Sequence, residues 1–333
     1  MSATKLRGKH FITCEDWTIQ EINMALDVAR DLKRQFAMGQ PHRLLQDKTV
    51  FNIFFEQSTR TRNSMEAGIT QLGGHAHDLT PDKMQLSHAE SPKDTAMVLS
   101  RMGHAIACRN CFYGIGNKYL NELAKWASVP VLSLQDDIYH PMQVIADLLT
   151  LQEYFGTNLK GLKITVSWAF ASSHAKPLSV PQSQILLFAR YGTQVTVAAP
   201  KEFPLKTEIV NQAKIHAHEN GGSLKFTDDM DAAFENAQVV IPKNWGGFAY
   251  FDSFVDDEEH WREMKANSEK HRDWICDSRR MKLAAPDVKY MHALPADRGH
   301  EVTDEVIDGP AAIIYDEAEN RLHTAKAIMA LTM

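Results

Sequence analysis

The chain has 333 residues, room for two domains of about 150 residues each, and its 44% apolar and 23% charged content is that of an ordinary globular protein. Its net charge of −6 argues against a nucleic-acid partner, and the absence of any long apolar run argues against a signal segment or a membrane span, so a cytoplasmic enzyme is expected. Cys14, Cys108, Cys111 and Cys276 are too few and scattered for a disulfide scaffold, and the C-x-x-C pair at 108–111 has no second pair with which to build a metal site.

In chain order, residues 16–38 repeat apolar side chains at helical spacing behind a Thr18-x-x-Glu21 capping box. "KTVFNIFFE" reads as a buried strand, 58–72 as a helix closed by Gly73-Gly74, and "HAHDL" as a strand. "SPKDTAMVLSRMG" follows as a helix with Pro92 in its first turn, then "HAIACR" and "VPVLSL" as strands, and "HPMQVIADLLTLQEYFG" as a long apolar helix. The alternation resumes with "LKITVSW", "TQVTVAAP" and "QVVIPK" as strands, and with "PQSQILLFARYG", "KTEIVNQAKIHAHENGG" and "MDAAFENA" as helices. "VKYMHALP" and "AAIIYDE" read as late strands and "ENRLHTAKAIMALTM" as a closing helix. Strands alternating with helices predict an α/β protein of two doubly wound parallel-sheet domains. Residues 80–90, 169–181 and 244–260 are irregular and long enough to be binding loops.

The chemistry concentrates where the first strand meets its helix, in Ser58-Thr59-Arg60-Thr61-Arg62. A helix start offers free N–H groups, serine and threonine add hydroxyl donors, and arginine forks around an oxyanion, which together suit a phosphate. An N-cap serine followed by solvated arginines fits the same string. Neither G-x-x-x-x-G-K-[ST] nor an early G-x-G-x-x-G is present, so the anion reads as a compact phosphate compound rather than a nucleotide.

"FFEQSTRTR" resembles the carbamoyl-phosphate motif of the aspartate/ornithine carbamoyltransferase family, and the likeness continues along nearly the whole chain. "QLSHAESPKDTAMVLSRM" is similar to the loop and helix that follow in ornithine-type enzymes, "ACRN" places an arginine at a strand end, and "HPMQ" matches H-P-x-Q. "HALPADRGHEVTDEVIDG" resembles H-C-L-P with its following segment, and "DEAENRLHTAKAIM" the ornithine-type C-terminal helix. The resemblance implies a carbamoyl-phosphate domain over 1–145, an acceptor domain over 146–316 and a helix at 317–333 packing back on the first. It assigns phosphate to Ser58, Thr59, Arg60 and Thr61, with Arg109 shared between phosphate and carbonyl oxygen. Thr61, Arg109 and His140 would meet that oxygen as the catalytic group. Gln143 and the Leu294 carbonyl would hold the carbamoyl amide, and Arg321 would close over the site. Gln85 matches a residue that reaches the carbamoyl phosphate of a neighbouring subunit, implying a homotrimer, or a multiple of trimers, with shared sites. No metal or cofactor is implied.

On the acceptor side Ala293 stands where ornithine-type enzymes carry cysteine, and no D-x-x-x-S-M-G string occurs. "IPKNWGGFAYF" instead resembles the knotted transcarbamylases through Lys243-Asn244-Trp245, as does "SWAFASSHAKPLSVPQSQ" with Lys176, Pro177, Leu178 and Pro181. That implies a second domain threaded through its own loop. Lys243, Trp245, His292 and Ala293 become the acceptor candidates, Trp245 being equally readable as a core residue. The activity expected is transfer of a carbamoyl group from carbamoyl phosphate to a small ornithine-like or acylated amine. The alternatives are phosphorolysis of a ureido compound and a non-catalytic carbamoyl-phosphate binder.

Overall fold

The computed structural model describes residues 3–85, 90–173, 176–247 and 258–333. The chain divides into two compact units, residues 1–149 with 318–333, and residues 150–317. The loops expected at 80–90, 169–181 and 244–260 include residues 86–89, 174–175 and 248–257, which lie outside the described residues.

In the first unit α1 (Ile19–Ala37) starts at Thr18, whose hydroxyl and Glu21 cap each other reciprocally as the sequence predicts. Then come β1 (Thr49–Phe54), α2 (Arg60–Gln71), β2 (His75–Leu79), α3 (Pro92–Leu99), β3 (Ala105–Asn110), α4 (Gly116–Trp126), β4 (Val131–Asp136) and α5 (Pro141–Phe155). The sheet is parallel in the order β2-β1-β3-β4. The order in which strands are added reverses between β1 and β3, and such a switch point opens a crevice beyond the carboxyl ends of the strands. Ile53, Ile106, Cys108, Leu120, Leu123 and Val131 pack one core cluster, so the strand ends stand on a rigid base. The helix α4 was not anticipated. It begins at Ile115 without a side-chain cap, so the usual start signal is missing.

The second unit holds β5 (Lys163–Trp168), α6 (Ser179–Arg190), β6 (Gln194–Ala198), α7 (Thr207–Glu219), β7 (Ser223–Thr227), α8 (Met230–Phe234) and β8 (Val239–Lys243). It continues with α9 (Glu258–Glu269), α10 (Ser278–Met281), β9 (Lys289–Tyr290) and α11 (Asp304–Ile307), and α12 (Ile314–Thr332) crosses into the first unit's residues. Its parallel sheet runs β7-β6-β5-β8-β9, with a second switch point between β5 and β8.

Two strand expectations need correction. "VKYMHALP" ladders only at 289–290, because the backbone leaves the strand for a turn in which Leu294 has φ +51°. "AAIIYDE" keeps a single bridge, Ala312 to Tyr290, and Ile314 already opens α12. A short apolar run does not distinguish a strand from the buried first turn of a helix. β7 was missed for the opposite reason, since an exposed edge strand reading "SLKFT" has no apolar run to announce it.

Candidate active site

At the first switch point, β1 delivers residues 55–59 and then the first turn of α2. Thr59 occupies the N-cap without a side-chain cap hydrogen bond, so the first-turn N–H groups are not used up by a capping oxygen. Ser58 and Arg60 are half-buried, Thr59 is exposed and Thr61 is buried. The second arginine of the string points elsewhere: Arg62 pairs with Asp78 and stacks on the Phe54 ring, 4.2 Å from its centroid. The helix periodicity thus divides the two arginines between structure and candidate site.

Arg109 lies directly beside Phe54 across the β1–β3 ladder and pairs on its other side with Gln135 of β4. Its Nε is 3.8 Å from Glu56 Oε2, while Glu56 Oε1 accepts a hydrogen bond from the Cys111 N–H at 2.8 Å. Burial pushes the Glu56 carboxyl up, against the pull of the Cys111 N–H and of the Arg109 charge. Glu56 thus stands as a counter-charge beside the guanidinium, a placement the sequence string did not suggest.

His140 is buried, and its carbonyl accepts from the N–H groups of Gln143 and Val144, which makes it the N-cap of α5 with Pro141 in the first turn. The turn before it is built on Asp136. One carboxylate oxygen accepts from the N–H groups of Ile138 (2.8 Å) and Tyr139 (2.5 Å), the other from Asn117 Nδ2 (3.1 Å). Asp137 accepts from the Gly114 and Asn117 N–H groups. Burial raises the Asp136 carboxyl to about 7 despite those donors, and the neighbouring Asp137 adds to the rise. Nothing in the sequence before H-P-x-Q marks this brace.

Three residues from distant stretches of sequence meet within the first unit. The Arg321 guanidinium donates to Gln143 Oε1 and, at 2.7 Å, to Thr61 Oγ1, and all three residues are buried. Gln143 Nε2 in turn donates to Asp147 Oδ1 at 2.7 Å. The α12 residues of this unit are anchored again further along, where the buried Lys326 ammonium donates to Gln71 Oε1 of α2 at 2.9 Å. Gln85 is exposed.

In the second unit Lys243 ends β8 opposite Trp168 of β5, at the switch point, and its Nζ lies 3.3 Å from the Asn244 carbonyl. Trp245 is fully buried. Its indole N–H donates to the Phe203 carbonyl at 3.0 Å and its own carbonyl accepts from the Trp168 indole at 2.9 Å. That burial matches the core reading of Trp245. His292 and Ala293 are buried as well. The His292 N–H donates to Glu317, and His292 Nδ1 accepts the Leu294 N–H at 2.8 Å, which holds Leu294 in its left-handed conformation. A leucine there costs about 1–2 kcal/mol and persists only where neighbours enforce it. Among the described residues no helix is long and apolar enough to cross a membrane.

The carbamoyl-P binding domain model of aspartate/ornithine carbamoyltransferase matches residues 9–153, and the Asp/Orn binding domain model matches residues 171–332. The ornithine carbamoyltransferase of Pyrococcus abyssi is 36% identical over 328 residues, 98% of this chain and 96% of the relative. That of Halalkalibacterium halodurans is 38% identical over 324 residues, 97% of this chain and 95% of the relative. Among solved structures, the Pyrococcus furiosus ornithine carbamoyltransferase superposes with a TM-score of 0.85 at 36% identity, covering 98% of both chains. An N-acetyl-L-ornithine transcarbamylase mutant, complexed with carbamyl phosphate and N-succinyl-L-norvaline, gives 0.89 at 32% identity, covering 98% of this chain and 100% of that one. With both domain models matched and relatives aligned over nearly its full length, this chain belongs to the aspartate/ornithine carbamoyltransferase family and is a carbamoyltransferase.

Proposed function

We propose that the enzyme moves the carbamoyl group of carbamoyl phosphate onto the side-chain amine of ornithine or of an N-acylated ornithine, releasing phosphate. The meeting of Thr61, Gln143 and Arg321 carries the reading, since a guanidinium, a hydroxyl and a carboxamide from three distant stretches suit one small, polar, anionic substrate. The α2 N-terminus with Ser58, Thr59, Arg60 and Thr61 takes the phosphate. Arg109, His140 and Thr61 face the carbamoyl oxygen, where negative charge grows as an uncharged amine attacks the carbon. Gln143 and the Leu294 carbonyl hold the carbamoyl NH2 group. Phosphate then departs with its charge already balanced by the donors around it, so positioning and fixed dipoles supply most of the acceleration.

Relatives of both acceptor types support the class of amine. Ornithine carbamoyltransferases align over nearly the whole chain, and the N-acetyl-L-ornithine enzyme superposes closely. Lys243 at the second switch point supplies a cation for the acceptor's carboxylate, and Ala293 in place of cysteine leaves more room beside the side chain. The test is a panel of L-ornithine, N-acetyl-L-ornithine, N-succinyl-L-ornithine and putrescine, scored for ureido product and released phosphate. An amine bearing a carboxylate is expected to give the highest kcat/KM. Lys243→Met is expected to raise its KM about 10-fold or more while leaving carbamoyl-phosphate binding intact. Putrescine as the best acceptor, or a Lys243→Met enzyme indistinguishable from wild type, contradicts the reading.

A further inference from the structure

One side chain that the sequence motifs did not single out sits at the centre of the acceptor-side loops. Glu301 is fully buried, and its carboxylate takes part in four interactions with groups from three separate stretches of the second unit. Oε1 accepts the Asn244 N–H at 2.6 Å, directly after Lys243 at the end of β8. Oε2 accepts the Asp297 N–H at 2.6 Å, lies 2.6 Å from the Lys176 ammonium, and is 3.4 Å from His292 Nε2. The same loops are tied a second time around it. Asp297 Oδ2 accepts both the N–H and the hydroxyl of Ser172 at 2.6 Å, and the Gly246 N–H donates to the Lys176 carbonyl at 2.9 Å.

The electrostatics are those of a fixed anion. Burial alone would raise the Glu301 carboxyl, but His292, Lys176 and Lys243 draw it well below the ordinary carboxylate range. Burial lowers His292, whose Nδ1 accepts the Leu294 N–H and whose Nε2 faces Glu301 at 3.4 Å. A buried carboxylate that satisfies two backbone N–H groups and one ammonium makes a rigid node. Its loss takes the acceptor from the Asn244 and Asp297 N–H groups and the counter-charge from Lys176.

We propose that Glu301 is a positioning residue for acceptor recognition: its carboxylate fixes the Lys176 segment, the Lys243–Trp245 loop and the His292–Asp297 loop in the one arrangement that presents Lys243 to the acceptor. This role rests on the acceptor reading proposed above. It makes Glu301 a determinant of acceptor affinity more than of carbamoyl-phosphate binding, whose proposed contacts, apart from the Leu294 carbonyl, belong to the first unit.

The full-length enzyme is compared with Glu301→Gln and Lys176→Met. Steady-state kinetics use whichever of L-ornithine and N-acetyl-L-ornithine the wild type prefers, and calorimetry measures carbamoyl-phosphate binding. Hydrogen-exchange mass spectrometry reads peptides spanning 243–246 and 292–297 against the strands at 163–168 and 194–198. Glu301→Gln is expected to raise the acceptor KM about 10- to 100-fold, the loss of one or two hydrogen bonds to a charged group. Carbamoyl-phosphate affinity, exposed to this loop only through the Leu294 carbonyl, should fall about fivefold at most. Exchange should quicken in the two loop peptides and not in the strands, and Lys176→Met should show the same pattern more weakly. An unchanged acceptor KM, equal weakening of both substrates, or exchange that rises through the strands as well overturns the proposal. If Glu301→Gln does not fold, Lys176→Met decides alone, and wild-type kinetics in that variant count against the role. A wild type that carbamoylates neither amine overturns the acceptor reading itself, whereas exchange confined to the two loops still shows that Glu301 positions them.

Discussion

At the scale of single residues, the first unit's site is a set of polar groups whose partners fix their orientation. Arg109 has Glu56 as a counter-charge, and the guanidinium of Arg321 reaches both Thr61 and Gln143. If Arg109 donates to the developing oxyanion, Arg109→Ala should lower kcat about 10²- to 10³-fold. His140→Ala should lower kcat more than it weakens carbamoyl-phosphate binding. Stopped-flow and calorimetry together separate these effects, and near-normal turnover in either variant contradicts the assignment. Asp136 allows a test by pH. A carboxyl whose folded value lies at about 7 against an ordinary 3.8 binds its proton more tightly in the folded chain. Its contribution to stability is therefore complete below about pH 4 and is lost as pH rises through about 7. Asp136→Asn removes that loss. Its Tm should exceed the wild-type Tm by about 4 °C more at about pH 8.5 than at about pH 5, read by differential scanning calorimetry. An equal Tm difference at both values would show that Asp136 is ionised throughout. The motif residues could be proposed from the sequence, because hydroxyls and guanidinium groups at a strand-to-helix junction suit an anion. Glu56, Asp136 and Glu301 were not, since a buried carboxylate that serves a neighbouring backbone has no signature until the fold supplies its donors.

At the scale of elements, the two sheets place the candidate residues by one device used twice: a strand end at a switch point, Arg109 on β3 and Lys243 on β8. The end of β3 is held closely by α4. A Cβ on Gly116, in the first turn of α4, would stand 1.9 Å from the Asn110 carbonyl oxygen, which is backbone and cannot yield. Gly116→Ala should therefore cost about 3 kcal/mol or more and displace the strand end that carries Arg109. Gly39→Ala is the control: it has a φ of +66° and open space around it, and should cost only about 1–2 kcal/mol. Thermal melts of both proteins, with kcat measured on the survivors, check the contrast. Long amphipathic helices and buried central strands were readable from periodicity, as α1 and β5 show. The edge strand β7, the uncapped helix α4 and the apolar first turn of α12 were not, because in each the local pattern is weaker than the tertiary contacts that decide it.

At the scale of the whole molecule, sharing of sites between subunits is a proposal built on Gln85, which is exposed on its own chain. Mixing Arg60→Ala subunits with Gln85→Ala subunits should restore part of the activity if three chains complete one another's sites. A mixture that exchanges subunits without regaining activity contradicts the sharing. The central claim concerns the reaction itself, and the most direct measurement is carbamoyl transfer followed at both ends. Purified enzyme is supplied with carbamoyl phosphate and with L-ornithine or N-acetyl-L-ornithine, and ureido product and phosphate are quantified in the same reaction. The account predicts equimolar product and phosphate with at least one of the two amines, and a fall of about 10²-fold or more in both when Arg109 is replaced by alanine. Phosphate release without ureido product, or transfer that survives the loss of Arg109, would contradict it.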